Sequence, residues 1–338
     1  MTRFRLEEER ADEKIAVLLL AVLMAILCVG CDSQSQSSEA GVVESSSVPI
    51  EAYRIGIVLP GDSRGANADL AYYMEKYCRE LENQGIIKFQ ILRANTALEM
   101  KTRFDDLRTW KVQAVLAFPQ WTGLESTIQE MIDSGIPVLD YEVALDVDGV
   151  YQIVTGAEQI GSSGADYIVQ KIGTEGRVIV LNSPTEGAFS QLVEKGFAES
   201  MVKNAPDIQI ETYSSAFDRT DGKQVFEEIL ATRAQIDGVF TMDDEVALGV
   251  LDAIQEAGRT DIRVITGAGG SQEYLKAMSQ NQSIWLESAV CVPTAAKDAI
   301  DNVVALAAGE MVERVHEVAP AAVDRETCAQ YLDEGAPY

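Results

Sequence analysis

Histidine is nearly absent from this chain of 338 residues, and its single example, His316, stands among charged neighbours. One imidazole cannot build a multi-histidine metal site, nor can it serve a serine or cysteine triad centred on a pocket. The shortage disfavours most hydrolytic mechanisms and leaves no basis for a metal. No other cofactor is indicated by the sequence, so none is expected.

Positively charged residues are also few. The sequence has 27 Lys and Arg against 54 Asp and Glu, so its formal net charge is −27. A polyanion repels nucleic-acid phosphates and anionic lipid headgroups, and neither is expected to be a partner. Solubility is the simplest role of the acidic excess. Aromatic residues make up 7% of the chain beside a hydrophobic content of 47%, which suits a soluble α/β protein.

Cysteine is rare as well, because beyond residue 31 the sequence contains just Cys78, Cys291 and Cys328. None of the three belongs to a C-x-x-C pair of the kind used in redox or metal chemistry. In an oxidising compartment, one disulfide and one buried free thiol are expected. The pairing among the three stays open at this point, with Cys291 and Cys328 as the favoured pair.

The one long apolar run, residues 15–30, falls short of the ~20 residues of a membrane-spanning helix. It ends at Gly30-Cys31, which resembles the end of a bacterial lipobox, where a peptidase cuts before a cysteine that carries a diacylglyceryl group. Residues 1–30 are therefore predicted to be a lipoprotein signal peptide, with Cys31 as the lipidated residue. The serine-rich stretch 31–50 is predicted to be a flexible tether. An uncleaved signal anchor is the alternative.

From Tyr53 onward, short β-branched runs alternate with segments whose apolar residues recur at helical spacing. This alternation predicts parallel, doubly wound sheets with both faces covered, and it restarts after residue 155. The sequence therefore predicts an α/β fold of two doubly wound parallel-sheet lobes. A cleft between the strand ends of the two lobes is the expected ligand site.

The predicted lobe boundaries follow from this alternation of strands and helices. The N-terminal lobe comprises residues 51–155 and 289–320, the C-terminal lobe residues 156–288, and a C-terminal tail residues 321–338. Three crossovers are expected between the lobes, and together they would form a hinge. They lie near Thr155, Ser288 and Val318.

Four stretches of the body are typical of one protein family. They are Ser134–Leu139 with the Asp140-Tyr141-Glu142 that follows, the glycine-containing helix 161–168, the loop Phe217-Asp-Arg219, and the strand and helix cap Phe240–Gly249. In order and spacing they resemble the periplasmic sugar-binding proteins of the ribose-binding type, which are receptors of ABC importers. The resemblance covers about residues 53–320 and implies the type I periplasmic binding protein fold.

Two carboxylates stand at the ends of predicted strands, Glu142 in the first lobe and Asp243 in the second. A carboxylate accepts two hydrogen bonds from adjacent hydroxyls or pairs with an ammonium group, so both residues are predicted to bind ligand. For Asp243 the alternative is helix capping alone. For Glu142 the alternative is a surface or lobe-closing role.

The resemblance implies aromatic walls for the cleft. Phe217, Phe118 and Trp121 are the candidates for packing on the C–H face of a sugar, with ordinary core packing as the alternative.

Several polar positions depart from the family pattern. Gln191 stands where ribose-type receptors carry an arginine, and it remains a candidate contact because an amide donates and accepts hydrogen bonds. The first loop lacks the paired aromatics of the family, and Asp62 and Asn67 are its candidate contacts. The turn Gly267–Gly270 stands where a ligand-binding Asp is usual.

Together these features predict a monomeric, extracytoplasmic solute-binding lipoprotein, anchored to the cell membrane through its lipid alone. It would close its hinge on a small polar ligand (a sugar, polyol or amino sugar) and dock on an ABC permease. A ligand sensor that presents its closed form to a chemoreceptor or kinase is the alternative. A lipid-anchored hydrolase that uses Glu142 and Asp243 as acid and base is disfavoured, because nothing in the spacing requires a catalytic pair.

Overall fold

The computed structural model describes residues 51–61, 65–142, 145–184 and 187–338. The predicted signal peptide, the lipidation site Cys31 and the tether lie outside the described residues, and so does Asp62.

Within these residues, the first sheet has six parallel strands in the order β11-β5-β4-β3-β1-β2. The strands are β1 (Tyr53–Pro60), β2 (Ile87–Ala94), β3 (Ala114–Ala117), β4 (Val138–Tyr141), β5 (Tyr151–Thr155) and β11 (Val315–Val318). Helices α1 (Ala66–Asn83) and α9 (Val292–Ala307) pack together on one face, and α2 (Ala97–Thr109) and α3 (Glu125–Asp133) cover the other. Because both faces are covered, a central strand such as β3 is buried along its whole length.

The second sheet also contains six strands within the described ranges, in the order β12-β10-β9-β8-β6-β7. They are β6 (Glu175–Asn182), β7 (Asp207–Ser214), β8 (Gly238–Thr241), β9 (Val264–Ala268), β10 (Trp285–Val290) and β12 (Ala321–Asp324). Helices α4 (Ala157–Ile172) and α5 (Gly187–Asn204) cover one face of this sheet. Helices α6 (Arg219–Thr232), α7 (Asp244–Ala257) and α8 (Gln272–Gln280) cover the other. The predicted fold of two doubly wound α/β lobes is confirmed.

The chain passes between the two sheets three times in its described part: from β5 to α4, from β10 to α9, and from β11 to β12. Residues Ala321–Asp324, which the sequence assigns to a tail, form strand β12 and pair antiparallel with β10. A four-residue edge strand is too short to give a period that distinguishes it from a loop.

The predicted Cys291–Cys328 disulfide is wrong, because Cys78, Cys291 and Cys328 are all buried free thiols. Cys291 packs in the core that α4 and α5 form on one face of the second sheet. Cys328 packs in the core on the opposite face, so the sheet separates the two sulfur atoms. Burial raises the pKa of the Cys291 thiol to about 12, which keeps it protonated and unreactive at neutral pH.

Candidate functional site

The predicted site residues that the structure describes all follow strands of the two parallel sheets. Asn67 follows β1, Phe118 and Trp121 follow β3, Glu142 follows β4, Gln191 follows β6, Phe217 follows β7 and Asp243 follows β8. They therefore lie at the carboxyl edges of the two sheets, three strands contributing from each. In open α/β sheets, this edge is where ligands bind.

Glu142 has a left-handed backbone, with φ of 67°, directly after β4. Its N–H donates to the Ile153 carbonyl over 3.0 Å, and its Oε1 accepts from the Thr155 N–H over 2.7 Å. Burial raises the pKa of the Glu142 carboxyl, while the bonds from Thr155 act in the opposite direction. The side chain is thereby fixed beside the first crossover between the sheets.

Asp243 is the N-cap of α7. Its Oδ1 accepts from the Glu245 N–H over 2.8 Å and from the Val246 N–H over 3.3 Å. These bonds satisfy two free donors at the helix N-terminus. Burial raises the pKa of Asp243 to about 6, against the lowering effect of the same N–H groups. Its second oxygen, Oδ2, faces away from the cap and accepts from another side chain, described below.

The aromatic candidates differ in exposure. Phe118 is 7% exposed, and its ring meets Tyr141 edge to face with centroids 5.3 Å apart, so it packs in the core. Trp121 is half-buried against the core between the first sheet and helices α2 and α3. Phe217 is half-buried and touches the cores on both faces of the second sheet, which puts its ring at the sheet edge.

Two polar candidates are open to solvent. Asn67 is exposed in the first turn of α1, and Gln191 is exposed in the second turn of α5. Neither side chain is joined to Asp243 by a hydrogen bond in the described residues. Glu142 and Asp243, one from each lobe, are likewise not joined by a direct hydrogen bond there.

Tyr338 is a residue at this site that the sequence did not reveal. Its hydroxyl donates to Asp243 Oδ2 over 3.2 Å, and its N–H donates to Asp69 Oδ1 over 2.9 Å. Its carbonyl oxygen accepts from the Gln272 N–H over 2.8 Å. Burial and the neighbouring carboxylates, Asp243 first among them, hold the pKa of the Tyr338 hydroxyl far above its usual range.

Asp69 did have a signal in the sequence. Asp69 lies on α1 one helical turn before Tyr73, on the face of the helix whose other residues are apolar and packed against the protein. It is only 2% exposed. A carboxylate on such a face needs a partner, and here the partner is the Tyr338 N–H. Burial raises the pKa of Asp69 to about 6.

A cavity of about 10 Å³ lies beside these contacts. Asp69 and Tyr73 from the first lobe line it together with Gly269, Gly270 and Gln272 from the second. A cavity of this volume holds about one water molecule.

Comparison with known proteins identifies the family. A model of the periplasmic binding protein domain matches residues 55–311. The chain belongs to this family. The resemblance to ribose-type receptors is thereby confirmed at the level of the family.

Two curated relatives of this periplasmic binding protein are named for sugars. The galactofuranose-binding protein YtfQ of Escherichia coli is 30% identical over 175 residues, which are 48% of this chain and 54% of that protein. The ribose import binding protein RbsB of Bacillus subtilis is 28% identical over 210 residues, 60% of this chain and 66% of that protein. The matched part thus spans about half to two thirds of the relatives' length.

The fold is shared with solved structures. An ABC transporter periplasmic solute binding protein from Actinobacillus succinogenes, solved with bound D-allose, superposes with a TM-score of 0.69 at 19% identity. The match covers 82% of this chain and all of that chain (100%). At this identity the likeness establishes the fold alone.

The family and these relatives are binding proteins and not enzymes, in agreement with the prediction for this periplasmic binding protein. Among the described residues, no group of three or more His, Cys, Asp and Glu side chains is arranged to hold a metal ion. The described helices include none that is long and apolar enough to cross a membrane.

Proposed function

We propose that this protein captures a sugar or a sugar-like polar solute between its two lobes, outside the cytoplasm, and delivers it to an ABC importer. The observation that carries the proposal is the common position of the candidate side chains, which follow strands of both sheets at their carboxyl edges. The names of the relatives, which refer to galactofuranose and ribose, support the choice of ligand class.

The chemistry of the candidate residues fits a hydroxyl-rich ligand. Asp243 offers Oδ2 to a hydroxyl or an ammonium group while Oδ1 caps α7. Phe217 offers a half-buried ring to the C–H face of a sugar. Gln191 supplies an amide in place of a cationic side chain, so the site favours a neutral or amine-bearing solute over an acidic one.

Hinge closure is the proposed mechanism. The lobe built on the first sheet and the lobe built on the second are connected by three crossovers in the described part of the chain, and bending there would bring the carboxyl edges together. The ligand favours the closed form because it contacts both lobes in that form alone. The closed protein, a monomer tethered through lipidated Cys31, would then dock on its permease.

A melting screen tests the proposal. Pentoses, hexoses, polyols and amino sugars are added one at a time at high concentration, and the unfolding temperature is measured. At a hundredfold excess over the dissociation constant, a ligand stabilises the fold by about 2.7 kcal/mol, which is a clear shift. If no member of the panel shifts the unfolding temperature, the proposal is contradicted. Delivery is then tested by whether the liganded protein stimulates ATP hydrolysis by the permease in vesicles.

A further inference from the structure

The segment that follows β12, residues 325–338, forms a strap along the second lobe. The Arg325 guanidinium donates to the carbonyls of Gln282 and Ile284 over 3.2 and 2.6 Å. Further along, the Gln272 side chain binds the strap twice: its Nε2 donates to the Tyr331 carbonyl over 3.1 Å, and its Oε1 accepts from the Asp333 N–H over 2.8 Å. The strap is therefore fixed to the start of α8.

The same strap is bound to the first lobe through α1. Asp333 accepts from Lys76 Nζ over 2.7 Å and from the Tyr72 hydroxyl over 3.4 Å. These bonds lower the pKa of Asp333. Asp69, on the same face of α1, accepts from the Tyr338 N–H over 2.9 Å. The strap thus holds both lobes at once.

The strap brings the Tyr338 side chain onto the candidate ligand site. Its hydroxyl donates to Asp243 Oδ2, the oxygen that the helix cap leaves available. Its ring lies against the backbone at Gly269, where a β-carbon would come within 3.2 Å of the ring. Gly269 has φ of 119°, so a side chain is disfavoured there on two grounds. The absence of a side chain at this turn is what gives the ring its space.

We propose that the Tyr338 side chain is a tethered occupant of the ligand site, which the solute displaces when it binds. The proposal rests on the proposed function, since it takes Asp243 as a ligand contact. The phenol hydroxyl makes to Asp243 the bond that a sugar hydroxyl would make. The occupant lowers the apparent affinity, because ligand binds only to molecules from which the side chain has withdrawn.

Substitution at position 338 in the full chain tests the proposal, with the sugar that gives the largest melting shift as the probe. Tyr338→Ala is expected to lower the dissociation constant by about tenfold, since the competing bond to a carboxylate is lost. Tyr338→Phe keeps the ring and is expected to lower it by less. Leu332→Ala, at an exposed position of the same strap, is the matched control and should bind as the parent does.

An unchanged or weakened affinity in Tyr338→Ala would overturn the proposal, and a weakened one would make Tyr338 a wall of the ligand site. A second measurement locates the Tyr338 ring in the ligand-free protein. With 3-fluorotyrosine placed at position 338, the ligand-free protein should give a fluorine resonance that differs from that of the free amino acid, and added sugar should move it toward the free value. A resonance at the free value before any sugar is added would refute the occupancy. If no sugar binds to any variant, the proposed function fails, and the fluorine spectrum still decides the position of Tyr338.

Discussion

At the scale of single residues, Asp243 divides its two carboxylate oxygens between different tasks. Oδ1 caps α7, and Oδ2, which accepts from the Tyr338 hydroxyl, is the oxygen that we propose binds the ligand. A substitution that keeps the cap and removes the charge therefore separates the structural contribution from binding. Asparagine is such a replacement, because it is as good an N-cap as aspartate.

Asp243→Asn is expected to leave the free energy of unfolding within about 0.5 kcal/mol of the parent and to weaken ligand binding about tenfold, through loss of a charged acceptor. Asp243→Ala should lose the same affinity and also about 1 kcal/mol of stability. Denaturant melts measure the stability, and isothermal titration measures the affinity. Both variants are also made in the Tyr338→Ala background, because the hydroxyl contact would otherwise contribute to the result.

The matched control for the cap is Thr96→Ala. Thr96 caps α2 by accepting from the Glu99 N–H over 3.1 Å, and it follows the edge strand β2. It should lose about 1 kcal/mol of stability with no change in affinity. If Asp243→Asn binds the ligand with the affinity of the parent, then Asp243 caps α7 and does not contribute to binding.

Glu287 is a second carboxyl, and its burial makes the stability of the protein depend on pH. It is 0% exposed on β10, and neither of its oxygens has a hydrogen-bond partner in the described part of the chain. Burial, together with the nearby Asp244 and Asp324, raises its pKa well above the ordinary value of 4.5. The folded protein therefore keeps this proton at pH values where the unfolded chain releases it.

The stability that Glu287 contributes is complete below its unfolded pKa and declines as the pH rises toward its folded pKa. The decline amounts to at most about 1.4 kcal/mol per pH unit. Glu287→Gln, which is neutral at every pH, is expected to flatten the fall in the free energy of unfolding between pH 5 and pH 8. Denaturant melts across this range measure the slope, and the exposed Glu310→Gln controls for the loss of one charge. An identical slope in Glu287→Gln would show that Glu287 is not protonated in the fold.

At the scale of elements, two glycines set the spacing between α4 and α5. A β-carbon at Gly161 would overlap the Val193 carbonyl oxygen, and one at Gly196 would overlap the Glu158 carbonyl oxygen. Both obstacles are backbone atoms, which cannot rotate away. The glycine at position 161 in the stretch that resembles the family is therefore required by helix packing and not by a ligand.

Gly196→Ala is expected to destabilise the protein even though alanine is the better helix former. Overpacking costs about 1–3 kcal/mol or more, against about 1 kcal/mol gained in helix propensity. Ser163→Ala, at a partly exposed position of α4, is the control and should change stability by less than about 0.5 kcal/mol. The midpoint of a denaturant melt measures the change in stability. A Gly196→Ala variant as stable as the parent would contradict the close packing of α4 against α5.

Local patterns explain why most elements could be predicted from the sequence. The apolar run that ends at Met242 and the acids that follow it specify a strand and a capped helix within a few residues of each other. Contacts between distant residues had no such signal. Tyr338 meets Asp243 across 95 positions and Asp69 across 269, and no periodicity encodes either pair. The wrong Cys291–Cys328 pair failed for the same reason, since spacing does not reveal which face of a sheet a side chain occupies.

At the scale of the whole molecule, the proposed membrane anchor depends on one residue. Cys31→Ala is expected to release the protein from membranes or to leave an unprocessed precursor, because the thiol that would carry the lipid is gone. Membrane fractionation and intact mass measure both outcomes. Cys28→Ala, three residues earlier, is the matched control and should be processed as the parent is. Normal processing and membrane retention of Cys31→Ala would contradict the lipoprotein assignment.

The central claim is that a small polar solute binds between the two lobes, and hydrogen exchange with and without the bound sugar tests it most directly. Protection is predicted in the segments that follow β1, β3 and β4 in the first lobe and β6, β7 and β8 in the second. Protection confined to one lobe would contradict the claim. Protection restricted to the surface groove lined by Leu230 of α6, Ala253 of α7 and Arg259 just after α7 would contradict it as well.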